Sequence, residues 1–542
     1  MSIPKLWTLK GKKILTVDDF PGMRSMMRSM LTAYGADNIT DASNGEEAIA
    51  HLSSGAFDIV LCDYNLGEGK DGQQVLEEAK ERGILSYSSV FIMTTAENAA
   101  EMVMGAAEYR PDEYLSKPFT KQVLQSRLKK LLDRKESLHK IASAIQCHDY
   151  KLAITLCDSQ LGQAPKNRIE LLRLKGDLAI KMGEYASAAD VYTEILKERD
   201  LPWAILGMSQ VHFFQKKYDE AKNLLEALVN ANPNYVFAAD WLAKVYEKLD
   251  QPDKSQEILE KAVAKSPKAV LRQKALADIS YKNNDFDTSE EAYKRVVRIG
   301  KYSCYKSPDD YAGLARVYMK KNTAVDAVKT LGAMKKEFRN SDSAVLLKAT
   351  IHEAVLFKEL DRPDDSRQAL STVMNIFKED PALVPSTMAM QLAESCYEAG
   401  MKAEGDDLIR HVVRNHHDDK DIHKQVQTLL EKYDTGTDAR TLISQTCEEV
   451  IELNNKGVEL ATKGKLHDSI SLFVKAASGM PENQTINLNA AQSLIMFMQK
   501  NGPFREFMEQ ANHYLIRVKA LGDPDEKYYK LLSIYQTLSS KA

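Results

Sequence analysis

The first 130 or so residues alternate between short apolar runs and amphipathic stretches. "KKILTV" (Lys12–Val17) has the pattern of a buried strand and runs straight into Asp18 and Asp19. From Pro21 to about Tyr34, Met23, Met26, Met27, Met30 and Leu31 fall at helical spacing. "NITDAS" reads as a second strand and "GEEAIAHLSSG" as a second helix. Then follow "FDIVLCDY", the helix "GQQVLEEAKERG", the strand "SVFIMTT", a helix from Ala96, the strand "DEYLSKP" and a helix from Thr120. Strand and helix units in this rhythm predict an α/β domain: a doubly wound, five-stranded parallel sheet with helices on both faces.

From about Leu138 the strand patterns stop and a helix–turn–helix unit repeats with a period near 34. A small residue followed twelve positions later by proline marks the register, at Ala153/Pro165, Ala221/Pro233, Ser255/Pro267, Ala369/Pro381 and Ser469/Pro481. Two antiparallel helices bury one face between them. Small residues let them approach, and the proline ends the second helix before the next unit begins. One hairpin cannot bury enough surface alone, so the units are expected to stack into an all-α superhelix. The segment "KYDTGTDARTLISQ" interrupts the register.

Between Pro118 and Gly162 there is neither proline nor glycine. Val123, Leu124, Leu128, Leu131, Leu132, Leu138, Ile141 and Ile145 keep helical spacing across this stretch. A flexible linker would be rich in Gly, Ser or Pro. The last helix of the first domain is therefore expected to continue, or nearly continue, into the first repeat, with Ser137 its least helix-favouring point. The expected domains are residues 1–131 and 132–542.

Composition narrows the class. Lys and Arg number 73 against 77 Asp and Glu, and the balance is even in both parts. The basic excess of a nucleic-acid binder is missing. No apolar run approaches the ~20 residues of a membrane span. The N-terminus lacks the apolar core of a signal peptide, and the six cysteines lie far apart with no CxxC pair. These features suggest a cytoplasmic protein with reduced thiols. "HHDDKDIH" (His416–His423) is read as an inter-repeat loop rather than a metal site.

Chemistry enters at the strand ends. In open parallel sheets, ligands bind outside the carboxyl ends of the strands. Those ends carry Asp18 and Asp19, Asp63, Thr94 and Thr95, and Lys117. A lone strand-end Asp is usually a turn or helix cap, so only the joint constellation carries weight. Two carboxylates about 4 Å apart repel by roughly 4 kcal/mol at an effective dielectric of 20. Three acids on one rim call for a cation, and all-oxygen ligands suit magnesium. A metal-bound Asp63 beside Lys117 is a plausible phosphoryl acceptor.

The motifs "VDD" at 17–19, "CDYN" at 62–65, "TTAE" at 94–97 and "YLSKPF" at 114–119, in that order, resemble the CheY-like receiver domain of two-component response regulators. The resemblance implies that Asp63 is the phosphoacceptor and that Lys117 and Thr95 assist it. It implies Mg2+ ligation by Asp18, Asp19, Asp63 and the backbone carbonyl of Asn65, and a switch formed by Thr95 and Tyr114. The proline after Lys117 is often preceded by a cis bond in this family. The loop "NLGEGKDG" departs from the family pattern, which usually has a proline near Gly67 and a shorter path to the Asp-Gly. The helical region resembles tetratricopeptide (TPR) repeats, most strongly over 134–300 and 450–483 and weakly around 340–445.

Together the resemblances imply a phosphorelay response regulator with protein-binding output, a signalling protein rather than an enzyme. Expected partners are a histidine kinase or phosphotransfer protein and a protein, unknown from sequence, in the TPR groove. Nucleic acid and membrane insertion are not expected. Alternatives are a phosphate sink that drains a kinase and a constitutive TPR scaffold.

Overall fold

The computed structural model describes residues 7–96, 110–163, 165–433, 438–522 and 526–539. Five parallel strands form one sheet: β1 (Lys13–Val17), β2 (Asn38–Ala42), β3 (Ile59–Asp63), β4 (Val90–Thr95) and β5 (Glu113–Ser116), in the order β2-β1-β3-β4-β5. Helices α1 (Pro21–Thr32), α2 (Gly45–Ser54), α3 (Gly72–Glu81) and α4 (Lys121–Ser137) cover it. The helix expected from Ala96 falls on 97–109, outside the described residues.

Alternation along each strand separates two cores. Leu15, Val17, Val60, Cys62, Phe91 and Met93 face Ala48, Ile49 and Leu52 of α2 and Val75 and Leu76 of α3. Ile14, Ile59, Leu61, Ile92 and Leu115 face Met27 and Leu31 of α1 and Leu124, Leu128 and Leu131 of α4. β3 and β4 are buried throughout, as central parallel strands covered on both faces must be. Local signals set the helix starts. Pro21 opens α1, the Asn44 side chain caps α2, Asp71 and Gln74 form a reciprocal capping box on α3, and Thr120 caps α4.

By packing, the chain forms two compact units, Met1–Lys321 and Asn322–Ala542. In the first, the sheet domain is followed by helix pairs Tyr185–Glu198 on Arg168–Met182, Tyr218–Ala231 on Pro202–Phe214, Pro252–Lys265 on Val236–Lys248, and Phe286–Ile299 on Val270–Lys282. The second unit is built from the same element, including Ser343–Glu359 with Pro363–Glu379 and Ala439–Thr462 with Leu466–Gly479. The small-residue signal is physical: Ala153, Ala221, Ser255 and Ser469 are fully buried at the fourth position of their helices. At Ala369 the signal is out of register. The helix Pro363–Glu379 is one turn longer, and Ser366 takes the fourth position, donating to the Ala354 carbonyl at 2.8 Å. Most of the interrupting segment is helical, since Asp438 caps the 24-residue helix Ala439–Thr462.

The expected joint is almost continuous. α4 ends at Ser137 and a new helix runs His139–Gln146, separated by Leu138 alone (φ −103°, ψ 1°). Ser137 Oγ donates to the Arg134 carbonyl at 2.7 Å, offering the backbone a local alternative to the helical ladder. The Ser137 carbonyl accepts instead from Gln160 Nε2 at 3.1 Å. Of the His416–His423 segment, only 416–419 form the expected loop: Asp419 caps the helix Lys420–Lys432, which takes up the rest, and His423 Nε2 donates to the His416 carbonyl at 3.0 Å.

Candidate functional site

The ends of β1, β3 and β5 converge because parallel strands present their carboxyl ends on one edge. Asp18 is 1% exposed and Asp63 9%, whereas Asp19 faces solvent. Lys117 Nζ sits between the two buried acids, 2.7 Å from Asp18 Oδ2 and 2.8 Å from Asp63 Oδ1. Asp18 Oδ1 also accepts from the Phe20 amide at 2.9 Å, and Asp63 Oδ1 from the Tyr64 amide at 3.0 Å. Burial holds the Asp63 carboxyl above its ordinary range, against the Lys117 ammonium, which works to lower it. Desolvation also opposes the charge on Lys117. The two carboxylates outweigh it and keep that ammonium firmly protonated.

One oxygen from each of Asp18, Asp19 and Asp63 lies within 4.8 Å of the others. Opposite ligands of an octahedral magnesium stand ~4.2 Å apart, from bond lengths of about 2.1 Å. The set is all oxygen, with one exposed member that leaves room for water, so it fits magnesium. Asn65 is exposed on the same loop, and its side chain accepts from the Gly67 amide at 3.3 Å. The loop turns at Gly67 (φ 75°) and Gly69 (φ 106°), conformations that disfavour other residues.

Thr94 pairs in register with Asp63, and its buried hydroxyl has no hydrogen-bond partner among the described residues. Thr95 is buried one position further on, and its carbonyl accepts from the Lys117 amide at 2.7 Å. Tyr114 packs against the core beneath α2 and α3 with its hydroxyl buried and unpartnered among the described residues. Burial pushes that phenol well above its usual range. The Lys117–Pro118 bond is cis.

Sequence reasoning missed three contributors. Arg24, one helical turn into α1, donates to the Asp18 carbonyl. The Tyr64 amide donates to the Asp63 carboxylate. Lys268, from the repeats, lies over the Tyr64 ring at 5.1 Å with its Nζ 3.3 Å from the hydroxyl. No local pattern marks a residue two hundred positions away.

The model of the response regulator receiver domain matches residues 14–129, and that of the tetratricopeptide repeat matches 179–245 and 215–279. The chain is 35% identical over 122 residues to the chemotaxis protein CheY of Pseudomonas aeruginosa, covering 22% of this chain and 97% of that one. It is 35% identical over 125 residues to CheY-3 of Vibrio cholerae serotype O1, covering 23% and 95%. The solved Vibrio cholerae CheY4 is 24% identical, covering 22% and 98%, with a TM-score of 0.21. The chain belongs to the response regulators and carries a receiver domain fused to TPR repeats. Among the described residues, no helix is long and apolar enough to cross a membrane.

Proposed function

We propose that this chain is a phosphorelay response regulator, phosphorylated on Asp63, whose repeats provide the output by binding protein. The observation that carries this is Lys117 Nζ, held 2.7 and 2.8 Å from two buried carboxylates at the strand tips. The donor is a phosphohistidine of a histidine kinase or phosphotransfer protein. An Asp63 oxygen forms the new P–O bond as the P–N bond breaks, and the donor nitrogen keeps the electron pair. Lys117 neutralises charge developing on the phosphoryl oxygens. Asp18, Asp19, Asp63 and the Asn65 carbonyl would hold Mg2+, which supplies the remaining positive charge. Thr95 and Tyr114 respond to the phosphoryl group, Thr95 from the end of β4 and Tyr114 from the neighbouring strand β5, where it packs against the core. Residues 1–131 form the receiver and 132–542 the repeat array, joined stiffly around Leu138. The setting is cytoplasmic.

Acetyl phosphate with Mg2+ should add one phosphoryl mass to the intact chain. Asp63→Ala should abolish the adduct, and an adduct that persists unchanged would remove the assignment.

A further inference from the structure

The departure in the loop after Asp63 has a physical partner. The Lys70 amide donates to Glu46 of α2, and Lys70 Nζ to the Tyr302 carbonyl at 2.5 Å. Gln74 Nε2 donates to the Ile299 carbonyl at 3.0 Å. These two receiver side chains satisfy carbonyls at and just beyond the end of the helix Phe286–Ile299, where backbone acceptors have no helical partner and a cation is favoured. One turn along α3, Glu77 Oε2 accepts from Ser303 Oγ at 2.9 Å, both residues being buried. A further turn along, Glu81 Oε2 accepts from the Tyr305 hydroxyl at 3.0 Å. Donors and acceptors match along three successive turns of α3, 224 to 226 residues apart in sequence.

The same helix is locked to the acceptor. The Gly72 amide donates to the Tyr64 carbonyl at 2.9 Å, and a Cβ on Gly72 would stand 2.0 Å from the Asp63 carbonyl oxygen. The first turn of α3 therefore moves with the tip of β3. Lys268 lies over Tyr64 and 3.9 Å from the Asp71 carboxylate, so a repeat cation overlooks the acceptor loop.

We propose that α3 is an internal ligand of the repeats, seated on residues 299–305, and that a phosphoryl group on Asp63 tightens the seat through Lys268. Negative charge added on the receiver side attracts the Lys268 ammonium, and the rigid Asp63–Gly72 contact carries any shift of the loop into α3. By linkage, the seated repeats favour the phosphorylated form equally. The tightening rests on Asp63 being the acceptor; the seat does not.

Hydrogen exchange of the full chain tests both parts. Amides of 300–306 and 72–81 should be protected. In Ser303→Ala/Tyr305→Phe, which removes two hydroxyls and little volume, exchange of both segments should rise roughly tenfold, as expected for losing hydrogen bonds to carboxylates. Exposed Lys268→Ala should leave the seat in place but abolish its response to the phosphoryl group. Beryllofluoride with Mg2+ should slow exchange of 300–306 several-fold in the unaltered chain. Equal exchange in the double variant and the unaltered chain would overturn the seat. Unchanged or faster exchange with beryllofluoride, while acetyl phosphate still labels Asp63, would overturn the tightening alone. No label on Asp63 would overturn the acceptor reading and the tightening with it, and would leave the seat to be judged on the double variant.

Discussion

At the tips of β1 and β3, two buried carboxylates share one ammonium, and a third acid faces the solvent beside them. Inside the repeats, three buried hydroxyls are closed off in pairs. Ser289, Ser366 and Ser469 each donate to a carbonyl of the preceding helix, of Ala277, Ala354 and Gly457, at 2.8 to 2.9 Å. The first arrangement is left short of positive charge and gains from a cation. The second is neutral, already satisfied, and has nothing to gain from a ligand. The contrast separates a buried polar cluster left open to a ligand from a buried polar group closed off for fit.

The largest effect should come from removing the shared cation. Lys117→Ala leaves Asp18 and Asp63 facing each other without compensation and should cost about 3 kcal/mol of receiver stability. Mg2+ should recover much of that loss in urea denaturation, because it can take over the neutralising role. A Mg2+-independent loss would mean that the site is only a structural ion pair. A smaller, steric effect should mark the repeats. A Cβ on Gly207 would stand 2.3 Å from the Tyr192 ring, which is fully buried and donates to Asp177 at 3.1 Å. Gly207→Ala should therefore destabilise by about 1–2 kcal/mol through overpacking. Gly332→Ala, with open space at its Cβ, should stabilise its helix by up to about 1 kcal/mol. Equal melting shifts for the two would deny the tight fit.

The smallest effect is a slope with pH. His411 is buried, donates through Nε2 to the Val384 carbonyl at 3.0 Å and meets the Phe377 ring; Glu482, Arg414 and His416 surround it. Burial, the largest influence, holds its pKa below the ordinary histidine value. The unfolded chain then binds the extra proton first. The stability contribution of His411 is complete above about pH 6.5 and is lost as pH falls through the lower folded value. His411→Gln should flatten the decline in melting temperature between pH 7.5 and 5.5; an identical decline would show that the folded and unfolded states take up this proton equally.

The sheet and its acidic rim were readable in the sequence because each depends on local order: apolar runs of strand length, each ending on the residue the rim needs. Asp18, Asp63 and Lys117 meet as their positions at strand ends require. The repeats were readable for the same reason, through small residues at a fixed offset from proline. At Ala369 that offset misled, since a helix one turn longer moves the packing position to Ser366 without moving the proline. Leu138 shows a subtler limit. Helical spacing runs through it unbroken, and only the Ser137 hydroxyl bond to the Arg134 carbonyl shows why the helix stops there. The seat of α3 left no trace, because Glu77 and Glu81, four apart on a helix, look the same whether they face water or Ser303 and Tyr305.

The seat on 299–305 and the covalent joint at Leu138 attach the receiver to the first repeats at both ends, so the helices between them close a ring. A ligand held this way is never diluted: its local concentration stays at the millimolar level typical of linked modules, however little protein the cell contains. A contact too weak to survive between separate molecules can then remain occupied most of the time. A competing protein helix that needs the same surface must match that concentration, or wait for an opening.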